Sequence, residues 1–439
     1  MAFLSRLMGL FGGRKADPAP APAAPPPARN PRAAPTPPVP AEPRIFVGWT
    51  EMIDAKARIG AYLLAPNGLQ AGATVSGPQL LEALERERVA RFAERRPVLI
   101  PITPTQWAAA DFRRIAAPLT VFLLRELPTH AAARQALLAE LRSHNLRVAL
   151  VAADWTSDDP ACAPDMLLVD LRSAPLARIE AQVQQIRRTH PRMVLAAENL
   201  DSWSEHRLCQ SLGFAYSLGA FTTTADEPDE TRQISGSRLV VLELLNLLRT
   251  EAPPAQIVAT AKRDPAIVLR LLALANSPAY GLAKQVSNLE EMMMVLGRDA
   301  LYRWLAVALF RLGHDDGRDQ TLLVVALGRA GFLESLVLES ERATRDELFL
   351  VGLLSVIDSL LGQPMDKVLD RMTLPPAVTA ALLRRDGPYA PYLFLVTALE
   401  RCRLDQAAMV AEALKIDTAH LIDCYSQAME WATDELMRD

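Results

Sequence analysis

Cysteine is scarce in this chain: Cys162, Cys209, Cys402 and Cys424 are the four among 439 residues, far apart and without a CxxC pair. That spacing argues against a zinc cage and against a disulfide framework, so a reducing, cytoplasmic setting is expected. Long apolar runs are missing as well, since none reaches the roughly 18–20 residues needed to span a bilayer. Charge of one sign is also absent. The formal net charge of −4 does not give the strongly basic surface that non-specific nucleic-acid binding needs, and no nucleic-acid partner is expected. Histidine is thin too: His130, His144, His190 and His206 are scattered over the first half, followed by His314 and His420.

What is present is ordinary globular composition, 50% apolar and 22% charged, in a chain long enough for two cores. Residues 1–16 open with MAFLSRLMGLF, whose apolar side chains fall on or near one helical face. It reads either as a frayed terminus or as a small amphipathic anchor, with residues 1–11 a candidate for weak peripheral contact at the inner membrane. Residues 17–43 are almost entirely Pro and Ala, a composition that favours extended polyproline II and marks a disordered linker. Folded sequence is expected in two domains, residues 44–232 and 233–439.

In the first, short apolar runs (RIFVGW, PVLIPIT, LTVFLL, RVALVAA, DMLLVDL, RMVLAAEN) alternate with helical spacing such as PQLLEALERERVARFAERR and APLARIEAQVQQIRRTH. Buried strands separated by helices imply a parallel sheet covered on both faces, either a barrel or a doubly wound sheet. Beyond the polar stretch TTTADEPDETRQ the strands stop, and everything from Leu239 reads as helix. Asp264-Pro265 opens one helix as N-cap and first residue. Ser287 with Glu290 reads as a capping box for the next, Gly297 ends it, and Asp299 is the expected cap of the one after. ERERVARFAERR and RCRLDQ read as solvated faces, and Met292–Met294 as core.

The stretches Ala197-Glu198-Asn199-Leu200 and Gly213-Phe214-Ala215-Tyr216-Ser217-Leu218-Gly219 resemble the last motifs of EAL domains. These are barrels whose active members hydrolyse cyclic di-GMP with two metal ions. The resemblance implies a degenerate EAL-type (β/α) barrel. It places Leu218 at the family's glutamine, Tyr62 at its signature glutamate, Leu123 at another ligand glutamate, and Leu168 at the lysine that helps to activate water. Asp154, Asp170 and Glu198 remain as remnant acids. Two divalent cations need a full shell of oxygen donors, which three isolated acids do not supply. No catalytic residue, metal or cofactor is therefore expected.

The helical half carries Asp264-Pro265, Asn276-Ser277-Pro278-Ala279-Tyr280-Gly281 and Leu296-Gly297-Arg298, which resemble the signature of an HDOD domain, an all-helical module related to HD-type phosphohydrolases. Asp264, Pro265, Asn276, Ser277, Tyr280, Gly281, Gly297 and Arg298 are read as helix punctuation or as a partner surface. Asn276 and Ser277 are expected to satisfy the last carbonyls of their helix. Ser355-Val356 stands where HD enzymes place His-Asp, and the lone His314-Asp315 falls between helices. The two resemblances imply a bacterial regulatory protein that contacts other signalling proteins without catalysis. The alternative is a sensor that binds cyclic di-GMP or an alarmone without hydrolysis, with Arg298 and Arg303 as phosphate partners.

Overall fold

The computed structural model describes residues 45–68, 74–155, 163–224, 226, 234–276, 286–312 and 317–436. The expected N-terminal segment and Pro/Ala linker, His314-Asp315, and Ser277, Tyr280 and Gly281 lie outside these residues. Eight strands close a barrel in sequence order. They are β1 (Ile45–Ile53), β2 (Ile59–Gly68), β3 (Val98–Ile102), β4 (Thr120–Leu124), β5 (Arg147–Val151), β6 (Met166–Asp170), β7 (Val194–Leu200) and β8 (Tyr216–Gly219).

From β2 to β8 each strand is parallel to the next, but β1 runs antiparallel to both β2 and β8. This corrects the expectation of an all-parallel sheet. The connection from β1 to β2 is too short for a crossover helix, which leaves only a hairpin. Asp54 shapes it, its Oδ1 accepting the N–H groups of Lys56 at 2.8 Å and Arg58 at 3.0 Å, with Ala57 left-handed at φ 58°.

Alternate residues of each strand point inward, and the barrel is filled by Met52, Ala61, Leu99, Val121, Leu123, Ala149, Leu168, Ala196 and Leu218. The other face packs under helices α1 (Gly77–Arg86), α2 (Val89–Phe92), α3 (Pro104–Ala109), α4 (Ala131–Ser143), α5 (Leu176–Thr189) and α6 (Trp203–Ser211). The single helix read over ERERVARFAERR is broken where Arg88 turns left-handed, at φ 52°. Nor is that charged run merely solvated. Glu87 is buried and accepts a hydrogen bond from Ser426 at 2.5 Å, and Arg88 and Arg91 both reach Glu430 at 3.1 Å.

From residue 236 the described chain is helical: α7 (Gly236–Arg249), α8 (Pro254–Ala261), α9 (Pro265–Ala275), α10 (Leu289–Leu296), α11 (Arg298–Arg311), α12 (Gly317–Ser335), α13 (Arg342–Leu354), α14 (Ile357–Leu361), α15 (Met365–Leu369), α16 (Pro376–Arg384), α17 (Ala390–Glu400), α18 (Leu404–Ala413) and α19 (Thr418–Leu436). Helix α12 is buried nearly all round, with α13 and α19 packed on it. Gly352 permits the first contact, because a Cβ there would stand 2.5 Å from the backbone nitrogen of Ala330. Among the described residues no helix is long and apolar enough to cross a membrane.

The two halves meet along β1. The Phe46 ring lies 4.9 Å from Tyr425 of α19. Thr321 donates to the Ala57 carbonyl at 3.0 Å, and Ser359 to that of Thr223 at 2.8 Å. Gly317 sits so close to the Lys56 carbonyl that a Cβ would collide with it.

Candidate functional site

Inward parity continues past the strand ends and decides what faces the C-terminal mouth of the barrel. Asp170 ends β6 and is in register with Glu198 on β7, so the two carboxylates are neighbours. Burial raises the Glu198 carboxyl above the usual carboxylate range; Arg125 opposes the rise and Asp170 adds to it. Arg125 follows Leu123 at the same parity, two residues past an inward position, a signal that the sequence reading did not use. Asp170 is also turned to its own chain, accepting from the Arg172 N–H at 2.8 Å. Asp154 stands exposed on the turn after β5.

Tyr62 is not in the mouth. Its ring packs edge-on against Trp49, 5.4 Å away, in the layer outside the barrel, so it does not occupy a ligand position as expected. The inward residues of β2 are the apolar Ala61 and Leu63. Leu123 and Leu218 do face inward. A two-metal centre does not fit this donor set: two carboxylates share the mouth with a guanidinium. Among the described residues no three His, Cys, Asp or Glu side chains are arranged to hold a metal ion.

In the helical half Asp264 caps α9 as expected, its Oδ1 accepting from Ala266 N–H at 3.0 Å, with Pro265 at the first helical position. Asn276 acts differently from expectation. Its amide does not turn back to the helix but clasps Val286, donating to the carbonyl at 2.7 Å and accepting from the N–H at 2.6 Å. The capping of α10 is shifted by one residue from the reading. Asn288 is the N-cap and accepts from Glu291 N–H at 2.8 Å, while the Glu291 carboxylate reaches back to Ser287 N–H at 3.0 Å. Gly297, at φ 78°, both ends α10 and begins α11, so Asp299 lies inside the first turn instead of capping it. Of the three methionines, Met292 and Met293 are buried, but Met294 is 80% exposed.

The two arginines read as phosphate partners are committed elsewhere. Arg298 donates to the Ala252 carbonyl at 2.7 Å. Arg303 pairs with Glu334 at 2.7 Å and also with Asp346, and its guanidinium lies 3.9 Å over the Phe349 ring.

Ser355 is buried beneath α12 and α17. Arg329 donates to its hydroxyl at 2.9 Å and clamps Glu400 through two bonds of 2.8 and 2.7 Å. From the barrel, Glu51 of β1 faces the same cluster. Burial pushes its carboxyl up to about 7; Glu400 adds to the rise, while Arg329 and a backbone hydrogen bond oppose it.

A model of the HDOD domain matches residues 238–365. The helical half contains an HDOD domain. The chain is similar to the uncharacterized protein YuxH of Bacillus subtilis (strain 168), 27% identical over an alignment of 249 residues that covers 54% of this chain and 58% of that protein. It is also similar to the cyclic di-GMP phosphodiesterase CdgJ of Vibrio cholerae, 22% identical over 240 residues, 54% of this chain and 55% of that one. The chain spans about half the length of the curated relatives it matches. Among solved structures it is similar to BlrP1 of Klebsiella pneumoniae in its manganese and cyclic di-GMP complex, at 14% identity and a TM-score of 0.35, covering 42% of this chain and 56% of that one. An EAL domain protein from Listeria monocytogenes is similar at 10% identity and a TM-score of 0.31, covering 40% and 87%. A closed barrel followed by an HDOD domain is the order that the sequence resemblance implied. The HDOD match holds the described signature residues together with Arg303, Arg329 and Ser355, whereas Glu400 lies on a helix beyond it.

Proposed function

We propose that this protein is a non-catalytic regulatory scaffold in cyclic di-GMP signalling, working in the cytoplasm through contacts with other signalling proteins. Its barrel is read as a degenerate EAL domain spanning residues 44–232, and residues 1–43 as an anchor and tether for the body. The observation that carries the reading is the barrel mouth. Asp170 and Glu198 lie side by side, the positive charge of Arg125 acts on Glu198, and the inward positions of β2, β4 and β8 are apolar. A guanidinium near the two acids offsets only part of their charge, and it supplies no ligand to a metal.

The test is turnover of cyclic di-GMP by the purified full-length protein with manganese or magnesium, followed as linear dinucleotide. No product above a protein-free control is expected. Metal-dependent hydrolysis that Glu198→Gln abolishes would overturn the reading.

A further inference from the structure

A groove of about 640 Å³ runs between α17 and α18, beyond the part of the chain that matches the HDOD model. Its floor is apolar, built from Pro391, Phe394 and Val410, and the Phe394 ring is left 46% exposed. Its rim is basic. Arg385 comes from the end of α16, while Arg401 and Arg403 come from the turn joining α17 to α18. None of the three makes an ion pair among the described residues. Burial and the positive charges of Arg329 and Arg401 lower the pKa of Arg385, with Asp358 opposing. The one acid on the lining, Asp386, is engaged by the N–H of Gly387 at 2.7 Å. A surplus of positive charge therefore overlooks an uncovered aromatic floor.

We infer that this groove docks an acidic amphipathic peptide segment of a partner protein. Apolar side chains of the segment would cover Phe394, Pro391 and Val410, and its carboxylates would pair with Arg385, Arg401 and Arg403. A trough open along one side suits a segment laid along it better than a small ligand, which a binding pocket encloses over most of its surface. The groove also adjoins the contact between the two halves. Helix α17 carries Phe394 on the groove side and Glu400 in the Arg329 clamp beside Glu51. The inference deepens the scaffold reading, on which it rests, by giving the partner a chemistry.

The test is selection of a phage-displayed 12-residue peptide library on the full-length protein, with the selected peptides titrated against variants. Enriched peptides are expected to combine Asp or Glu with large apolar residues. Their affinity should fall at least tenfold in Arg401→Glu/Arg403→Glu and in Phe394→Ser, and should weaken with salt. Arg178→Glu, on the exposed face of α5, should leave it unchanged. All four positions are at the surface, and matched melting curves verify that the variants fold. Selection of no binder, peptides without acidic enrichment, or equal binding to Arg401→Glu/Arg403→Glu would each overturn the inference. So would calorimetric binding of cyclic di-GMP or GTP that those two arginine substitutions remove, since the groove would then belong to a phosphate ligand. Turnover in the hydrolysis assay bears on the scaffold reading alone and leaves the peptide titrations to be judged by themselves.

Discussion

Arg303 shows how one side chain can look available in the sequence and be committed to ion pairs in the fold. Glu334, its main partner, keeps only 2% of its side chain exposed, and burial raises that carboxyl while Arg303 and Arg345 pull it down. A charge so deeply placed tolerates burial only with its partner present. Arg303→Met should therefore cost about 3–5 kcal/mol of folding free energy, the penalty of stranding a buried carboxylate. Adding Glu334→Gln should recover much of the loss. Urea unfolding of the two single variants and the double variant measures the coupling; additive effects would mean that the pair does not act as a unit.

The elements of the HDOD half are punctuated by side chains that bind backbone, and Asn276 is the most demanding of these. It spans ten positions in the chain to hold both backbone groups of Val286, joining the end of α9 to the approach of α10. Asn276→Ala removes both bonds and should destabilise by about 1–3 kcal/mol, since two backbone groups lose their partner. Asn276→Asp keeps the acceptor and loses the donor, so it should fall between. Amide exchange at Val286 is the direct readout, and unchanged protection in Asn276→Ala would refute the clasp. Such long clasps are not legible in a sequence, whereas local caps are. Asp264 declares itself because its partners lie within three residues, and the apolar runs declare six strands because buried strands need continuous apolar residues. Strand β2 is legible only through its resemblance to a family motif. The antiparallel hairpin and the break at Arg88 escape because local backbone choices, not hydrophobic pattern, decide them. In the mouth of the barrel, Asp170 and Glu198 can be named from sequence. Their adjacency, and the Arg125 charge that acts on Glu198, depend on strand register, which only the closed sheet fixes.

At the scale of the whole molecule, the surface between barrel and HDOD domain carries a charge arrangement that responds to pH. Glu51 projects from the outer face of β1 opposite Tyr62 in the hairpin register, toward Glu400 and Arg329 of the helical half, with Tyr425 also close enough to feel its charge. Its carboxyl, ordinarily near 4.5, stands at about 7 in the folded protein. The unfolded chain therefore gives up this proton at lower pH than the folded one. Stability is greatest below the unfolded value, declines as pH rises from about 4.5 to about 7, and is level above that. A difference of this size corresponds to a loss on the order of 3 kcal/mol. Glu51→Gln mimics the protonated form at every pH. It should match the wild type near pH 4.5 and exceed it by a growing margin up to pH 7, with the margin constant beyond. Melting temperatures of both proteins from pH 4.5 to 9 supply the comparison. A margin that does not change with pH would show that the Glu51 carboxyl titrates alike in the folded and unfolded chains, and that the contact between the halves does not sense protons through it.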